Sequence, residues 1–600
     1  MNNIHKILLL SIFGMLSFMQ VDAQKKVTKK KQSTAAKKST KKKQPSKKKT
    51  TVAASKKGKN SKTTEKNVEK PSAEVVNTKV NFDTTKQDIV VLYAAFKPSL
   101  RNAAKINFTA ATPVLDTSKA LLTYVVPSQN LFFTYQPVTI KPLALYVDSS
   151  VHWTRNGYIK LGFGNYTTPY AEAAMSFGNG KNSITNIFAK HISSTGNIAF
   201  QQFGKTDVAV TGLYTNKHNS EWSTNLFYNN NVQYQYGFEP ASLPYTKDQL
   251  QQNFSTIGLK AGFRNKMENR FGITYHPTVD FSYFFDGKNA KETNLVATIP
   301  INKTITKLLA FDVSATANIT NCQTPANTIK NNLFFVNPTI QFKTPNFKLN
   351  LGIQPSWDNQ IYSVLPNITA ESRLGSEKLI LKAGWVGSIQ KNNYQSLASV
   401  NPWLAQPVSF TNTQKNEIYA GIKGSLGSYF VYNTQLSLLK LKGQPLFTND
   451  LIDGKSFVTL YDDNLQLLKI HGEVGYSVQE NFSFIAAVTY NQFTKTTFDK
   501  PYGMVPLEIT GTLKWKLLKD VFFNADLFLW DGAQYRNKSL ASQKLNPAID
   551  LNAALEYRLN NKFNIWLQIN NAFNNNYQRW SQYQVLGFNI IAGVVYSFSK

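Results

Sequence analysis

Cysteine is nearly absent from this chain of 600 residues; Cys322 is the only one. That excludes a disulfide framework within the chain and any zinc site built from several thiolates. Histidine is scarce, with six in the chain. Acidic residues are few as well, 35 Asp and Glu against 67 Lys and Arg, a formal charge of +32. Long apolar runs are also missing. The longest, residues 7–19, falls short of the roughly 20 residues that a spanning helix needs, and mean hydropathy is −0.30. A polytopic helical membrane protein is therefore excluded. No glycine loop ending in Lys follows a strand and opens a helix, so no phosphate cradle is encoded.

What is present begins with an export signal. Lys6 precedes the apolar stretch, and Val21-Asp22-Ala23 forms a small-residue cleavage site. Residues 1–23 are expected to be a removable signal peptide. No cysteine follows the apolar core, so a lipoprotein anchor is not expected. Residues 24–81 read as a disordered, Lys-rich periplasmic tail. Between residues 25 and 70 there are 19 lysines and only two acids, Glu65 and Glu69. Such a segment cannot bury a core. Its densest part holds Lys41, Lys42, Lys43, Lys47, Lys48 and Lys49. A flexible polycation outside the cytoplasm suits peptidoglycan carboxylates, anionic lipid or an acidic periplasmic partner. Nucleic acid is not an expected partner, because export removes it and no base-reading arginines or aromatics accompany the lysines.

From residue 158 the dominant pattern is period two. Phe588, Ile590, Ala592, Val594, Tyr596 and Phe598 fall on one face of a final strand, opposite Asn589, Gly593, Ser597 and Ser599, with Ile591 and Val595 as apolar exceptions. Leu507, Ile509, Leu513, Trp515 and Leu517 likewise alternate with Glu508, Thr510, Thr512, Lys514 and Lys516. The clearest runs match the 9–11 residues with which a tilted strand crosses a bilayer. Tight turns such as Gly427-Ser428 alternate with long polar loops such as residues 391–415 and 442–465. The pattern predicts an all-β, antiparallel transmembrane barrel of the outer-membrane type over residues 158–600, with about 22 strands (range 18–24). Among these are strands at 270–279 and 290–300. The 13% of aromatic residues suits girdles at two membrane interfaces, and outer-membrane lipid is the expected surrounding.

The segments Asn564–Trp580 and Gly587–Phe598 resemble the end of TonB-dependent outer-membrane receptors. The family's Asn-x-Phe-Asn-x-x-Tyr element corresponds to Asn571, Phe573, Asn574 and Tyr577. The closing strand, with Phe588, Ile590, Val594, Tyr596 and Phe598, is similar to the family's assembly signal, although Ser599 and Lys600 follow it here. The resemblance implies 22 strands, a Gram-negative outer membrane and a role in uptake. It also implies a folded plug, for which residues 82–157 are short; they are expected to form a reduced plug or periplasmic cap. Ile89, Val90 and Val91 are weakly similar to a TonB box.

An enzyme is not expected, and no cofactor or metal site is encoded. His471 and Glu473 share one face of a strand as a polar lumen pair. Gly162-Phe163-Gly164 marks close backbone packing, and Cys322 is placed in a long loop. Lys514, Lys516, Arg558, Glu556, Asp526 and Asp550 give the lumen both signs of charge. Tyr394, Trp403, Trp530 and Trp580 lie at loop edges, where they could face a sugar, a partner or the membrane interface. The expected function is a pore or receptor component in uptake of a small solute or glycan. The alternative is a structural or assembly subunit of an outer-membrane complex, joined to a lipoprotein or other subunit and gripped to the cell wall by the basic tail.

Overall fold

The computed structural model describes residues 156–598, apart from residues 181, 218, 219, 376 and 377. The signal segment, the lysine tail, the plug-like segment and Ile89-Val90-Val91 lie outside the described residues.

The described chain is a closed antiparallel barrel of 22 strands. The first strand, Gly157–Gly164, pairs with the second and also with the last, Asn589–Phe598, from Gly157 opposite Phe598 to Gly164 opposite Ile591. Closure leaves no sheet edge at this junction, as a backbone in hydrocarbon requires. The seventh strand is broken. Ile273–Tyr275 and Thr278–Asp286 both pair with Lys291–Thr304, and His276-Pro277 separates them, because proline has no N–H to give to the ladder. The sequence pattern anticipated a strand at 270–279. The actual strand runs further, to Asp286, so that His276-Pro277 sits inside it instead of near its end.

Side chains alternate as expected. On the last strand Val594 and Tyr596 are exposed toward the lipid side, while Asn589, Ile591, Val595 and Ser597 are buried. Phe588 lies one residue before the strand. Both ends of the described chain and turns such as 427–429 and 479–481 occupy one rim, the periplasmic one in barrels of this kind, while the other rim carries the long loops beside short turns at 165–167, 287–290, 324–327 and 359–360. The long loops span residues 235–250, 391–412, 443–464, 496–506, 531–547 and 571–588.

The two apolar exceptions, Ile591 and Val595, have a structural explanation. They point inward and pack with Tyr170 and Trp566 in a small core at the closing seam. Lys160 lies 4.2 Å over the Trp566 ring, and Tyr170 meets that ring edge-on at 5.2 Å. Glu172 accepts hydrogen bonds from Tyr158 at 2.7 Å and from Tyr170 at 2.5 Å. Gly162 is needed here, since a Cβ on it would stand 2.4 Å from the indole. This is the close packing that the glycine pair in the first strand predicted.

Candidate functional site

The long loops form a folded cap over the outer mouth. Residues 235–250 join the fifth and sixth barrel strands, and residues 443–464 join the fifteenth and sixteenth, ten strands further round a ring of 22. The two loops nevertheless touch. Glu239 N–H donates to the Asp453 carbonyl at 2.9 Å, and the Tyr245 hydroxyl donates to the Asp453 carboxylate. Loops on opposite sides of a barrel can meet only across its opening.

The middle of the cap is a genuine hydrophobic core. Tyr394, Leu397, Ala398, Leu404, Phe447, Phe457, Trp580 and Tyr583 are buried in one cluster with wall residues Phe254, Phe284, Ala290 and Cys322. Trp403 stacks on Tyr583 with ring centroids 3.9 Å apart, and Tyr236 meets Tyr583 edge-on at 4.9 Å. Trp580 packs against Phe447 and Phe457. Of the aromatics placed at loop edges, Tyr394, Trp403 and Trp580 thus build the interior of the cap, and Trp530 packs with Tyr577 beside it. None of the four is a girdle residue. Cys322 corrects the sequence reading. It belongs to the strand Leu309–Gln323, faces inward and is fully buried beneath the cap.

Local chemistry explains how each loop is held in. The loop at 391–412 opens with the short helix Tyr394–Val400, whose N-cap, Asn393, accepts from Ser396 N–H. Glu292 on the wall accepts the helix's first N–H groups, Tyr394 at 2.7 Å and Gln395 at 3.1 Å. A carboxylate there satisfies donors that have no partner within the helix. Tyr394 also donates to Asp286 at 2.9 Å. The last loop is organised by the family-like motif. Asn571 and Asn574 take positive φ, 47° and 49°, a conformation asparagine tolerates better than most residues. Asn571 ties together Asn575 and Leu586, Asn574 accepts from Phe588 N–H at 2.9 Å, and Tyr577 donates to Asp550 at 2.8 Å. Phe573 is exposed.

Three aspartates anchor the loop at 443–464. Burial pushes the Asp450 carboxyl up, but Ser456 and the backbone N–H groups of Asp453 and Ile452 outweigh burial and hold it below the ordinary range. Asp453 is treated likewise by Lys455 and Tyr245, and Asp462 by Thr496, Thr497 and Asn464. A carboxyl depressed in the folded state contributes stability above its unfolded pKa and loses it as pH falls through the folded value. The cap should therefore stay closed from neutral pH down to about pH 4 and loosen only below that. Hydrogen exchange of residues 443–464 across a pH series, corrected for intrinsic rates, checks this; loosening at pH 5–6 would contradict it.

Beneath the cap the wall is polar and carries both signs. Lys423 pairs with Glu371 at 2.6 Å, and Lys415 with Glu417 at 2.6 Å. Lys382 donates to Asn433 and Gln435. His471 and Glu473 do share the inner face, 3.8 Å apart, with His471 also against Thr489. The same face holds Asp526, which accepts from Thr512 at 2.9 Å, Glu556, which accepts from Asn564, and Arg558, 3.8 Å from Asp520. Lys514 and Lys516 stand on it by register.

Several solved structures share this architecture. The FrpB iron transporter from Neisseria meningitidis matches with a TM-score of 0.58 at 10% identity, over 75% of this chain and 82% of that one. The siderophore receptor PirA from Acinetobacter baumannii matches with 0.58 at 8% identity, over 74% and 80%. The ferric enterobactin receptor PfeA from Pseudomonas aeruginosa, solved as a mutant, matches with 0.55 at 10% identity, over 74% and 80%. The chain has the barrel fold of the TonB-dependent receptors. No protein-family model matches the sequence, and no curated protein matches it. The likeness lies in the strands and their order, at a sequence identity where only the fold carries over.

Proposed function

We propose that the protein is a gated receptor or pore component of a Gram-negative outer membrane that takes up a small solute or glycan. The observation that carries this reading is the contact between loops rooted ten strands apart. A ring of 22 strands is wide enough to leave a lumen, and here its outer mouth is shut by a packed, hydrogen-bonded cap above a polar wall. That is the arrangement of a gate. The iron and siderophore cargo of the structural neighbours makes a metal chelate the first compound class to test. In the same reading the closing strand serves as the assembly signal and the lysine tail tethers the barrel to the cell wall.

Planar-bilayer recordings test the gate. The full chain is expected to conduct little. Replacing residues 444–462 by a short Gly-Ser turn, with residues 82–155 also deleted, should raise conductance by roughly tenfold or more, as an uncovered wide barrel requires. Silence from the full chain, the loop variant, the deletion variant and their combination would remove the transport reading.

One observation favours the second reading, a subunit of an outer-membrane complex. Val408, Leu451, Ile452 and Leu540 are exposed at the loop tips, Ile452 at 86%. Apolar side chains exposed on an outer surface suit contact with a partner.

A further inference from the structure

The barrel wall is parted at one place. The strand Ile361–Arg373 pairs with Ile380–Gln390 only from Asn367 opposite Val386 to Arg373 opposite Ile380. Beyond that point residues 361–366 pair only with the preceding strand, and residues 387–390 only with the following one, Thr413–Leu426. Two strand edges therefore face each other unpaired through the outer half of the wall. The four facing residues of strand, 363–366 against 387–390, make the parting about 13 Å long.

Packing across it confirms the separation. By register Ile389 belongs to the lipid-facing side, with Trp385 and Gly387. Leu365 and Leu333 belong to the lumen side, opposite Gln354 and Asp358. Yet Leu333, Leu365 and Ile389 form one buried cluster, with Phe335 against it. An outer-face residue can pack on its neighbours' inner faces only where the sheet has separated and one edge laps over the other. Gly387 permits the overlap, since a Cβ on it would meet Leu365 Cβ at 2.7 Å and Pro366 Cδ at 2.9 Å.

The sheet is also loosened one pairing further back. The pairing of Thr328–Lys343 with Phe347–Asp358 skips residues 336–338 and 353–355. Pro338 and Pro355 lie in that gap, and Pro366 lies where the parting begins. Proline cannot donate to a ladder, so bonds are missing at this level, although Phe347–Asp358 stays paired with residues 361–372 along its whole length. Unpaired backbone at membrane depth is costly unless it is covered or lines a cavity.

We propose that this parting is a lateral portal through which a ligand bearing an acyl or alkyl chain passes between the barrel interior and the outer leaflet. Four apolar side chains seal it, and opening it requires only that they separate. On the lipid side it is flanked by exposed Trp357, Tyr362 and Val364. On the lumen side it borders Asp358, Lys391, Asn331 and Asn412, joined by hydrogen bonds. An apolar slit beside a polar cluster suits an amphiphile with one chain and one polar head. The inference narrows the cargo of the uptake reading, but its test does not depend on conductance.

The full chain carrying Cys322→Ser is reconstituted in phosphatidylcholine vesicles with a diazirine-bearing palmitic acid as the probe. After illumination, adducts are mapped by mass spectrometry. Adducts are expected on Leu333, Phe335 and Leu365, inside the wall. In the variant Leu365→Cys/Ile389→Cys, which joins two side chains already packed together, oxidation should abolish those on Leu333 and Phe335 and reduction should restore them. The pair Ala370→Cys/Ala383→Cys, bonded across the intact half of the ladder, should leave them unchanged. Adducts confined to outward residues such as Tyr362 and Val364, or inner adducts that persist in the oxidised portal variant, would overturn the proposal.

Discussion

Replacing Tyr583 by alanine is expected to unlock the cap while leaving the barrel closed. Tyr583 is the residue on which several loops converge. Its ring packs against Trp403 of one loop and Tyr236 of another, it touches Phe457 of a third, and its hydroxyl donates to the Lys455 carbonyl. It is buried. Large-to-small changes of a buried aromatic cost about 3–5 kcal/mol. Because the ring joins loops to one another, the loss falls on the cap's own stability, the part of the structure that opens locally. A loss of that size raises the open population on the order of a hundredfold or more. Tyr583→Phe keeps the ring and loses only one hydrogen bond, about 1 kcal/mol, so it should stay near the native behaviour. Hydrogen exchange checks both variants. Residues 235–250, 391–412 and 443–464 should lose protection together in Tyr583→Ala, and strand amides should not. Uniform loss over loops and strands would show that the cap is not a separate unit.

The second large effect is expected at the seam. Trp566→Ala removes the ring on which Tyr170 rests and over which Lys160 lies. It also removes the indole N–H that donates to the Leu161 carbonyl at 3.2 Å, a contact between the penultimate and first strands across the last one. The cavity costs about 3–5 kcal/mol, and the lost cation–π contact adds up to about 2. Ile591 and Val595 lose their main neighbour at the same time. The closing pair of strands should therefore be the first to give way. The temperature at which the folded barrel loses its faster mobility in SDS gels should fall clearly in Trp566→Ala and recover partly in Trp566→Phe. An unchanged transition would show that backbone pairing alone closes the ring.

The barrel was readable because its rule is local. A strand between lipid and a wet lumen must alternate, and its backbone must pair with neighbours. Each strand therefore announces itself in its own residues, as Phe588–Phe598 and Leu507–Leu517 do. The seventh strand shows the boundary of that rule. His276-Pro277 looks like an ending, yet the strand resumes, because Thr278–Asp286 continues pairing with the same neighbour. The aromatics of the loops were visible as residue types, but their role was not. Nothing near Trp403 in the chain indicates Tyr583, 180 positions away, as its stacking partner. Cys322 was misplaced for the same reason: loop and strand end look alike where a strand rises above the membrane and its inner face meets a folded cap instead of water.

The sequence by itself thus determined an antiparallel barrel of about 22 strands with long loops on one rim. Alternation, charge runs and turn residues are properties of short segments and survive without knowledge of the fold. Only the tertiary structure decided that the loops meet across the mouth, that Ile591 and Val595 lock the seam, and that the wall parts beside Gly387. Each of these depends on residues that the closing of the ring brings together, and contacts made by closure leave no period in the chain.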